Sequence, residues 1–360
     1  QMTNAGLEGV VVADTQISEV DGERGRLIIA GADVEQLAPV TSYEAAVSRV
    51  LAAGAGDAAA TVAAGELAAA RHAAWAQVGA LGDALDHPDG MDALRTALGH
   101  LRATGDHRRD AIAAIGAAPV FVAAWSRRRA GRDPIAPSDR GHAADYLRMT
   151  TGADGEPACV RALDAYLVTV IDHGMSASTF TARVIASTHA DLLSAVVGAV
   201  GALKGPLHGG APGPVLDMLD AIGAPDHAEA WLLAELAAGR RIMGMGHRVY
   251  RVRDPRAAVL EEAVRPLAAS GRLALARAVE AAAGKILRER KPDRALAANV
   301  EFYTAVLLDA VGLPRGQFAP TFAVSRIAGW SAHVIEERRT GRLIRPASRY
   351  VGQLPDQASR

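Results

Sequence analysis

The chain has one cysteine, Cys159, in 360 residues. A single thiol excludes an intramolecular disulfide and any cysteine-built metal cluster, and no nucleophile motif surrounds it, so a reducing compartment, the cytoplasm, is expected. Lysine is almost as scarce: Lys204, Lys285 and Lys291 are the only three, and arginine supplies the rest of the 39 basic residues. Arginine forks suit carboxylates and phosphates, although a biased genomic base composition produces the same preference. Basic and acidic residues nearly cancel, 39 against 40. That balance argues against a broad affinity for nucleic acid or an anionic membrane surface, so any anion binding has to be local. No stretch offers the ~18 uninterrupted apolar residues of a membrane span. Residues 1–9 carry neither a basic n-region nor an apolar h-region, so neither spanning nor secretion is expected.

What is present is apolar bulk, half of the residues, enough for a substantial core in one large or two ordinary domains. Residues 10–37 read as short extended pieces, Val10 to Val12, Ile17 and Leu27 to Ile29, separated by turn signals at Asp21-Gly22 and Gly25. From Ser42 onward alanine and leucine dominate, apolar residues recur at helical spacing, and Gly or Pro breaks the pattern. The fold class expected is therefore all-α with a small N-terminal β element. Helices are predicted at Glu156 to Asp172, Ser178 to His189, Asp191 to Leu203, Val215 to Ile222 and Ala228 to Ala238, with another opening at Asp254-Pro255. No internal repeat or low-complexity linker marks a domain boundary.

Five elements could carry chemistry. In Gly205-Pro206-Leu207-His208-Gly209-Gly210-Ala211-Pro212 a histidine sits in a loop whose glycines permit close backbone approach and whose prolines restrain it. A plain interhelical turn with a capping histidine reads the same way. In Met243-Gly244-Met245-Gly246-His247-Arg248-Val249-Tyr250-Arg251 and the following Asp254-Pro255-Arg256, Asp254 suits an N-cap and Pro255 a first helical residue. Arg256 then opposes the helix dipole unless it shares an anion with the free amides there, or turns to a neighbouring acid. The Gly-x-Gly is a weak nucleotide signal, lacking a third glycine and a preceding strand. Asn299 caps a helix that places Glu301 in its first turn, as a general base or as an acid favoured there by the dipole alone. Ser325-Arg326-Ile327-Ala328-Gly329-Trp330 and Arg345-Pro346-Ala347-Ser348 complete the set.

Together, and in order from Gly6 to Gly352, these elements resemble the citrate synthase family. Asp172-His173-Gly174-Met175-Ser176-Ala177-Ser178-Thr179-Phe180 is similar to its D-H-E-x-N-A-S-T-F segment, and His87-Pro88 through Leu94-Arg95 to its H-P-M-x-x-L-R. The forms G-P-L-H-G-G-A-P and N-V-E-F resemble most a secondary branch of short actinobacterial citrate synthases. The resemblance implies an all-α homodimer with a large domain, 1–210 and 316–360, and a small domain, 211–315, the active site lying in the cleft. It implies His208, His247 and Glu301 as catalytic: His208 on the thioester carbonyl, Glu301 taking the α-proton, His247 polarising the carbonyl of a 2-oxo acid. His173, Arg256, Phe322 and Arg326 would bind that acid, with Arg345 reaching from the partner subunit. Arg251, Met245 and Asn299 would bind the CoA co-substrate, acetyl-CoA or propionyl-CoA. No metal, permanently bound cofactor, nucleic acid or membrane partner is implied.

Three positions depart from the family pattern. Glu301 replaces the usual aspartate, one methylene shorter, so its carboxylate has to be re-seated to remain effective. Ser176 stands for asparagine beside His173, and Ala30 for the arginine of the Y-R-G segment. These leave the substrates open between citrate and 2-methylcitrate formation, since one methylene is worth only ~1–3 kcal/mol in a pocket. A non-catalytic dimer that binds CoA or an oxo acid is the reading from another class. A helical nucleic-acid binder using Arg127 to Arg129 would need a coherent basic face, which the balanced charge does not suggest.

Overall fold

A computed structural model describes residues 5–7, 9–208, 212–247, 249–290 and 296–352. Gly209, Gly210 and Ala211 of the histidine loop, the boundary expected at 210/211, and Arg248 lie outside the described residues. The described chain is all-α apart from one antiparallel sheet of three short strands, in the order β1 (Ser18–Asp21), β2 (Arg26–Ile29), β3 (Ala32–Asp33). The extended piece expected at Val10 to Val12 is not a strand: it pairs with nothing, and Val11 is 83% exposed. Strand β1 begins at Ser18, just after Ile17, whose buried side chain anchors the sheet. Ile29 pairs with Ala32, which leaves Ala30 (φ 44) and Gly31 (φ 82) as a two-residue turn with both φ positive, the geometry that matches the twist of a hairpin. Ala30 is thus spent on the turn.

The helices start and stop where side chains can satisfy their ends. The helix expected from Glu156 runs Pro157–Val170, with proline in its first turn where no N–H is needed. Ser176 caps Ala177–Ser187 by accepting from the Thr179 amide, and Asp191 caps Leu192–Leu203 by accepting from Ser194. The helix placed at Val215 begins three residues earlier, at Pro212, because the prolines fit its start. Ala228–Ala237, Pro255–Val264 and Val300–Ala310 form where the pattern put them. Among the described residues, no helix is long and apolar enough to cross a membrane.

The last long helix, Phe318–Thr340, runs through the core and buries an unbroken series from Pro320 to Val334. A helix covered on all sides must meet its neighbours closely. Gly329 is the contact point: a Cβ built there would fall on the carbonyl oxygen of Ile171 and within 2.7 Å of Asp172 Oδ1. The missing side chain lets this helix lie against the strand-like turn that carries His173. Asp172 in turn accepts from the Ser18 hydroxyl of β1, from Gly174 N (3.1 Å) and from His333 Nε2 (3.3 Å). Sheet, turn and long helix therefore meet at one buried carboxylate. Gly329→Ala is expected to lower stability by about 1–3 kcal/mol through overpacking. An unchanged denaturant midpoint would contradict the close approach.

Candidate active site

Glycine geometry builds the loop around His247. Gly244 (φ 72) and Gly246 (φ 87) hold left-handed backbone that other residues resist, and a Cβ on Gly244 would lie 2.9 Å from Phe302. These turns let the loop zip onto residues 297–299: Gly246 N donates to Ala297 O (2.8 Å), Asn299 N to Gly244 O (2.9 Å) and Asn299 Nδ2 to Gly246 O (2.8 Å). Met245 bridges Ala298 in the same ladder. Asn299 also caps the Glu301 helix, accepting from the Glu301 amide at 3.0 Å. The two sequence elements carrying His247 and Glu301 are one structural unit.

Backbone amides set the proton on each imidazole. His247 Nδ1 accepts from Val249 N (3.0 Å) and Tyr250 N (3.1 Å), so the neutral ring carries its hydrogen on Nε2. His208 ends a turn, its amide donating to Gly205 O (2.9 Å), and its Nε2 accepts from Ser178 N (3.3 Å) and lies 2.8 Å from Ser178 Oγ. The Ser178 hydroxyl itself accepts from Trp330 Nε1 (3.1 Å). The hydrogen of His208 is accordingly on Nδ1. Burial, with Arg326 adding to it, pushes the His208 pKa down to about 4, and burial with Arg256 does the same for His247. Both rings are neutral donors at pH 7.

Around them lie two cations almost wholly out of water, Arg256 (3% exposed) and Arg326 (1%). Arg256 pairs with Asp254 at 2.8 Å. Its Nη2 also stands 3.4 Å from His247 Nε2. Because that nitrogen bears hydrogen, the approach is donor against donor, and an oxyanion between the two groups would satisfy both. Arg326 donates from Nε to Val170 O (2.7 Å) and lies over the Phe322 ring at 4.5 Å, while its Nη2 is buried without a hydrogen-bond partner. Burial, opposed in part by Asp172, pulls its pKa down to about 10. His173 Nε2 meets Tyr250 OH at 3.0 Å, and its ring packs edge-on to His247 at 5.5 Å.

Glu301 is 92% removed from solvent, at 8% exposure, and its Oε2 has no hydrogen-bond partner. Burial raises its pKa to about 7; Asp254 adds to the rise, while Arg256 and Arg326 oppose it. His173, in turn, feels the charges of Arg256, Arg326, His247 and His208 on top of its burial. The structure thus gathers His173, His208, His247, Arg256, Glu301, Phe322 and Arg326 into one neighbourhood: a poised carboxyl base, neutral donors and unspent positive charge. Asn299 and Met245 line the supporting ladder, whereas Arg251 is exposed, its amide donating to Gly22 O at 2.8 Å. Arg345 is exposed in the non-helical segment after Thr340, with no hydrogen bond or ion pair to this cluster among the described residues. Ser178, Tyr250 and Trp330 were not anticipated as site residues. Ser178 and Trp330 were legible as neighbours of His208 and Arg326 only once the Trp330-to-Ser178 contact is known. A hollow of about 490 Å³ lined by Glu44, His72, Asp139 and Arg140 lies elsewhere and shares no residue with the cluster. Among the described residues, no group of three or more His, Cys, Asp or Glu is placed to hold a metal ion.

A helical scaffold holding two buried guanidinium groups and neutral imidazole donors around one buried carboxyl defines the class of site. The family model described as "Citrate synthase, C-terminal domain" matches residues 6–347, and the chain belongs to the citrate synthase family. "Putative citrate synthase 2" of Mycobacterium tuberculosis is 50% identical over 210 residues, 58% of this chain; the chain spans 56% of the length of that relative. "2-methylcitrate synthase" of the same species is 37% identical over 357 residues, covering 96% of this chain and 90% of that one. The crystal structure of citrate synthase from Thermotoga maritima superposes with a TM-score of 0.85 at 33% identity, covering 100% of this chain and 98% of that one.

A buried cation with one nitrogen left unpartnered, as in Arg326, costs stability. Arg326→Met is expected to raise the stability of the ligand-free protein by about 1 kcal/mol or more. The same change should abolish the melting-temperature rise given by a small dicarboxylate. Thermal denaturation with and without that ligand checks both, and a less stable ligand-free variant would show that Arg326 is already satisfied.

Proposed function

We propose that the chain is a citrate synthase-type acyltransferase that condenses acetyl-CoA with oxaloacetate to give citrate and CoA. The observation that carries this reading is Glu301, a buried carboxyl raised to about 7 with one oxygen unpartnered, in the field of Arg256 and Arg326. A carboxylate cannot remove a thioester α-proton outright, so the enolate has to be stabilised as it forms. His208 Nδ1–H is the donor for the thioester oxygen, held there by the Ser178 amide on the opposite ring nitrogen. Glu301 takes the proton. His247 Nε2–H polarises the oxo-acid carbonyl, whose carboxylates are held by Arg256, Arg326 and His173 over the Phe322 side. The enolate carbon forms a bond to that carbonyl carbon as its C=O π pair moves to oxygen, and the new alkoxide takes the His247 Nε2 hydrogen, which the proton held by Glu301 replaces. Water then cleaves the thioester, leaving the tricarboxylate and CoA.

The proposal includes a small domain at 211–315 that closes on the oxo acid before the acyl-CoA enters, limiting wasteful hydrolysis. CoA would lie near Arg251, Met245 and Asn299. A homodimer in which Arg345 enters the partner's site accounts for an exposed arginine in a segment tied down at Ile344 N by Ser187 Oγ (3.1 Å). Propionyl-CoA is the second donor to consider, because the relative 37% identical over nearly the whole chain is named a 2-methylcitrate synthase.

CoA release followed with a thiol reagent, using oxaloacetate with either acyl donor, tests the reading. Glu301→Gln should cost about 10²–10⁴-fold in kcat and His208→Ala about 10²–10³-fold. The ratio of the two donors' rates decides between citrate and 2-methylcitrate formation. No release with either donor from folded protein overturns catalysis and leaves a binding dimer. Since the base must be ionised, kcat/KM for the acyl-CoA should fall as pH drops through about 7, the value to which burial raises Glu301. A limb near pH 4.5 would remove Glu301 from that role. Mixing inactive Arg345→Ala and His208→Ala chains should recover roughly a quarter of wild-type activity, because one site of each mixed dimer is intact. No recovery would place Arg345 in its own subunit's site or outside any.

A further inference from the structure

We infer that Asp254 is a positioning residue that locks the carboxylate-binding Arg256 and the first turn of the Glu301 helix into one rigid unit. The inference rests on the reading of the site given above and names a residue that reading does not use. Asp254 is 1% exposed, and both of its oxygens are occupied. Oδ1 accepts from Arg256 N and Arg256 Nε, each at 3.0 Å. Oδ2 accepts from Arg256 Nη2 at 2.8 Å and from Val300 N at 3.1 Å.

Each bond has a separate consequence. The Arg256 amide bond caps the Pro255–Val264 helix. The two side-chain bonds are a bidentate pair that fixes the plane of the guanidinium and occupies its Nε–Nη2 edge, so a ligand must approach from another edge. The fourth bond reaches a different helix. Val300 is the first residue of Val300–Ala310, and its N–H is one of the orphan donors of that helix start. Asn299 holds the next amide, that of Glu301. Asp254 thus grips the peptide immediately before the base while gripping the arginine that holds the substrate. A shift of either helix start moves the other.

Charge gives a second, independent consequence. The charged and titratable groups facing Glu301 are Asp254 and Arg256 from one helix start, Arg326 from Phe318–Thr340 and Tyr166 from Pro157–Val170. Asp254 is the carboxylate among them, and it both raises Glu301 and screens Arg256 from it. Neutralising it therefore lowers the pH at which the base ionises. A merely structural contact would leave that pH unmoved.

Two variants separate the effects. Asp254→Asn keeps the shape and removes the charge and one pair of acceptor sites. Val300→Pro removes the N–H that Asp254 Oδ2 accepts, and Val300→Ala, which keeps that N–H, is its control for the loss of a valine side chain only 5% exposed; proline suits a first helical position, and Asn299 before it is already extended (φ −100, ψ 177). CoA release is measured for both, and for the control, beside wild type, with folding checked by circular dichroism. Asp254→Asn is expected to lower kcat about 10²-fold, raise KM for oxaloacetate and shift the acid limb of kcat/KM to lower pH. Val300→Pro is expected to lower kcat about 3- to 10-fold below that of Val300→Ala, with KM for oxaloacetate and the acid limb unchanged. If folded Asp254→Asn keeps the wild-type limb, or Val300→Pro keeps kcat within twofold of Val300→Ala, the inference is overturned. If Asp254→Asn does not fold, Val300→Pro alone decides on the same criterion. A wild-type chain that releases no CoA overturns the functional reading first, a result distinct from any difference between variant and wild type.

Discussion

Two guanidinium groups, those of Arg256 and Arg326, lie almost wholly out of water and within each other's field. Only Arg256 has a carboxylate in direct contact, Asp254. Arg326 leans on a backbone carbonyl and an aromatic ring, with Asp172 acting on it only through its charge. The protonation states of the site follow from that surplus of positive charge. It reinforces burial in keeping His173, His208 and His247 neutral, and it opposes burial at Glu301, stopping the rise of that carboxyl near neutrality. In the proposed reaction, a base too weakly basic could not accept a proton, and one much more basic would already hold it at pH 7. The balance between desolvation and two cations sets Glu301 between those failures.

Direction is set by different means from charge. Neither His208 nor His247 relies on a carboxylate to choose its tautomer. Backbone amides do so, from Val249 and Tyr250 for His247 and from Ser178 for His208. An amide N–H cannot accept a proton or change its charge, so the choice of tautomer does not drift with pH as it would beside an ionisable partner. The glycines at 244 and 246 act earlier in the loop: their left-handed turns let it pair with residues 297–299 just before His247.

Much of this was legible in the sequence, and for identifiable reasons. Caps are local, so Asp254 and Asn299 announced their helices through side chains that bond two residues onward, whereas the Ser176 cap, ahead of a helix expected from Ser178, emerged only in the structure. The all-α class followed from periodicity, and the family from ordered motifs. What stayed hidden was long-range. Val10 to Val12 carried strand propensity but found no partner, since pairing depends on what lies opposite. Arg256 read as either anion-binding or paired with an acid, and it is both paired and placed for an anion, a combination neither local alternative contained. Tyr250 against His173, and Trp330 through Ser178 to His208, join residues 77 and 152 positions apart, which no spacing rule reaches.

The N-terminal sheet gives the site an order of assembly. Ser18 bonds Asp172 across 154 positions, Gly22 O receives the Arg251 amide, and Gln16 N reaches Glu336 across 320. During synthesis the first strand leaves the ribosome long before any of these partners exists. At about 5–20 residues per second, the wait for residue 336 is tens of seconds. Through that interval Ile17, Leu27 and Ile29, which end fully buried, lack the later helices that complete their cover. The turn that carries His173 is therefore among the last parts of the molecule to become native, and the sheet is exposed to misassembly until the Phe318–Thr340 helix has been made.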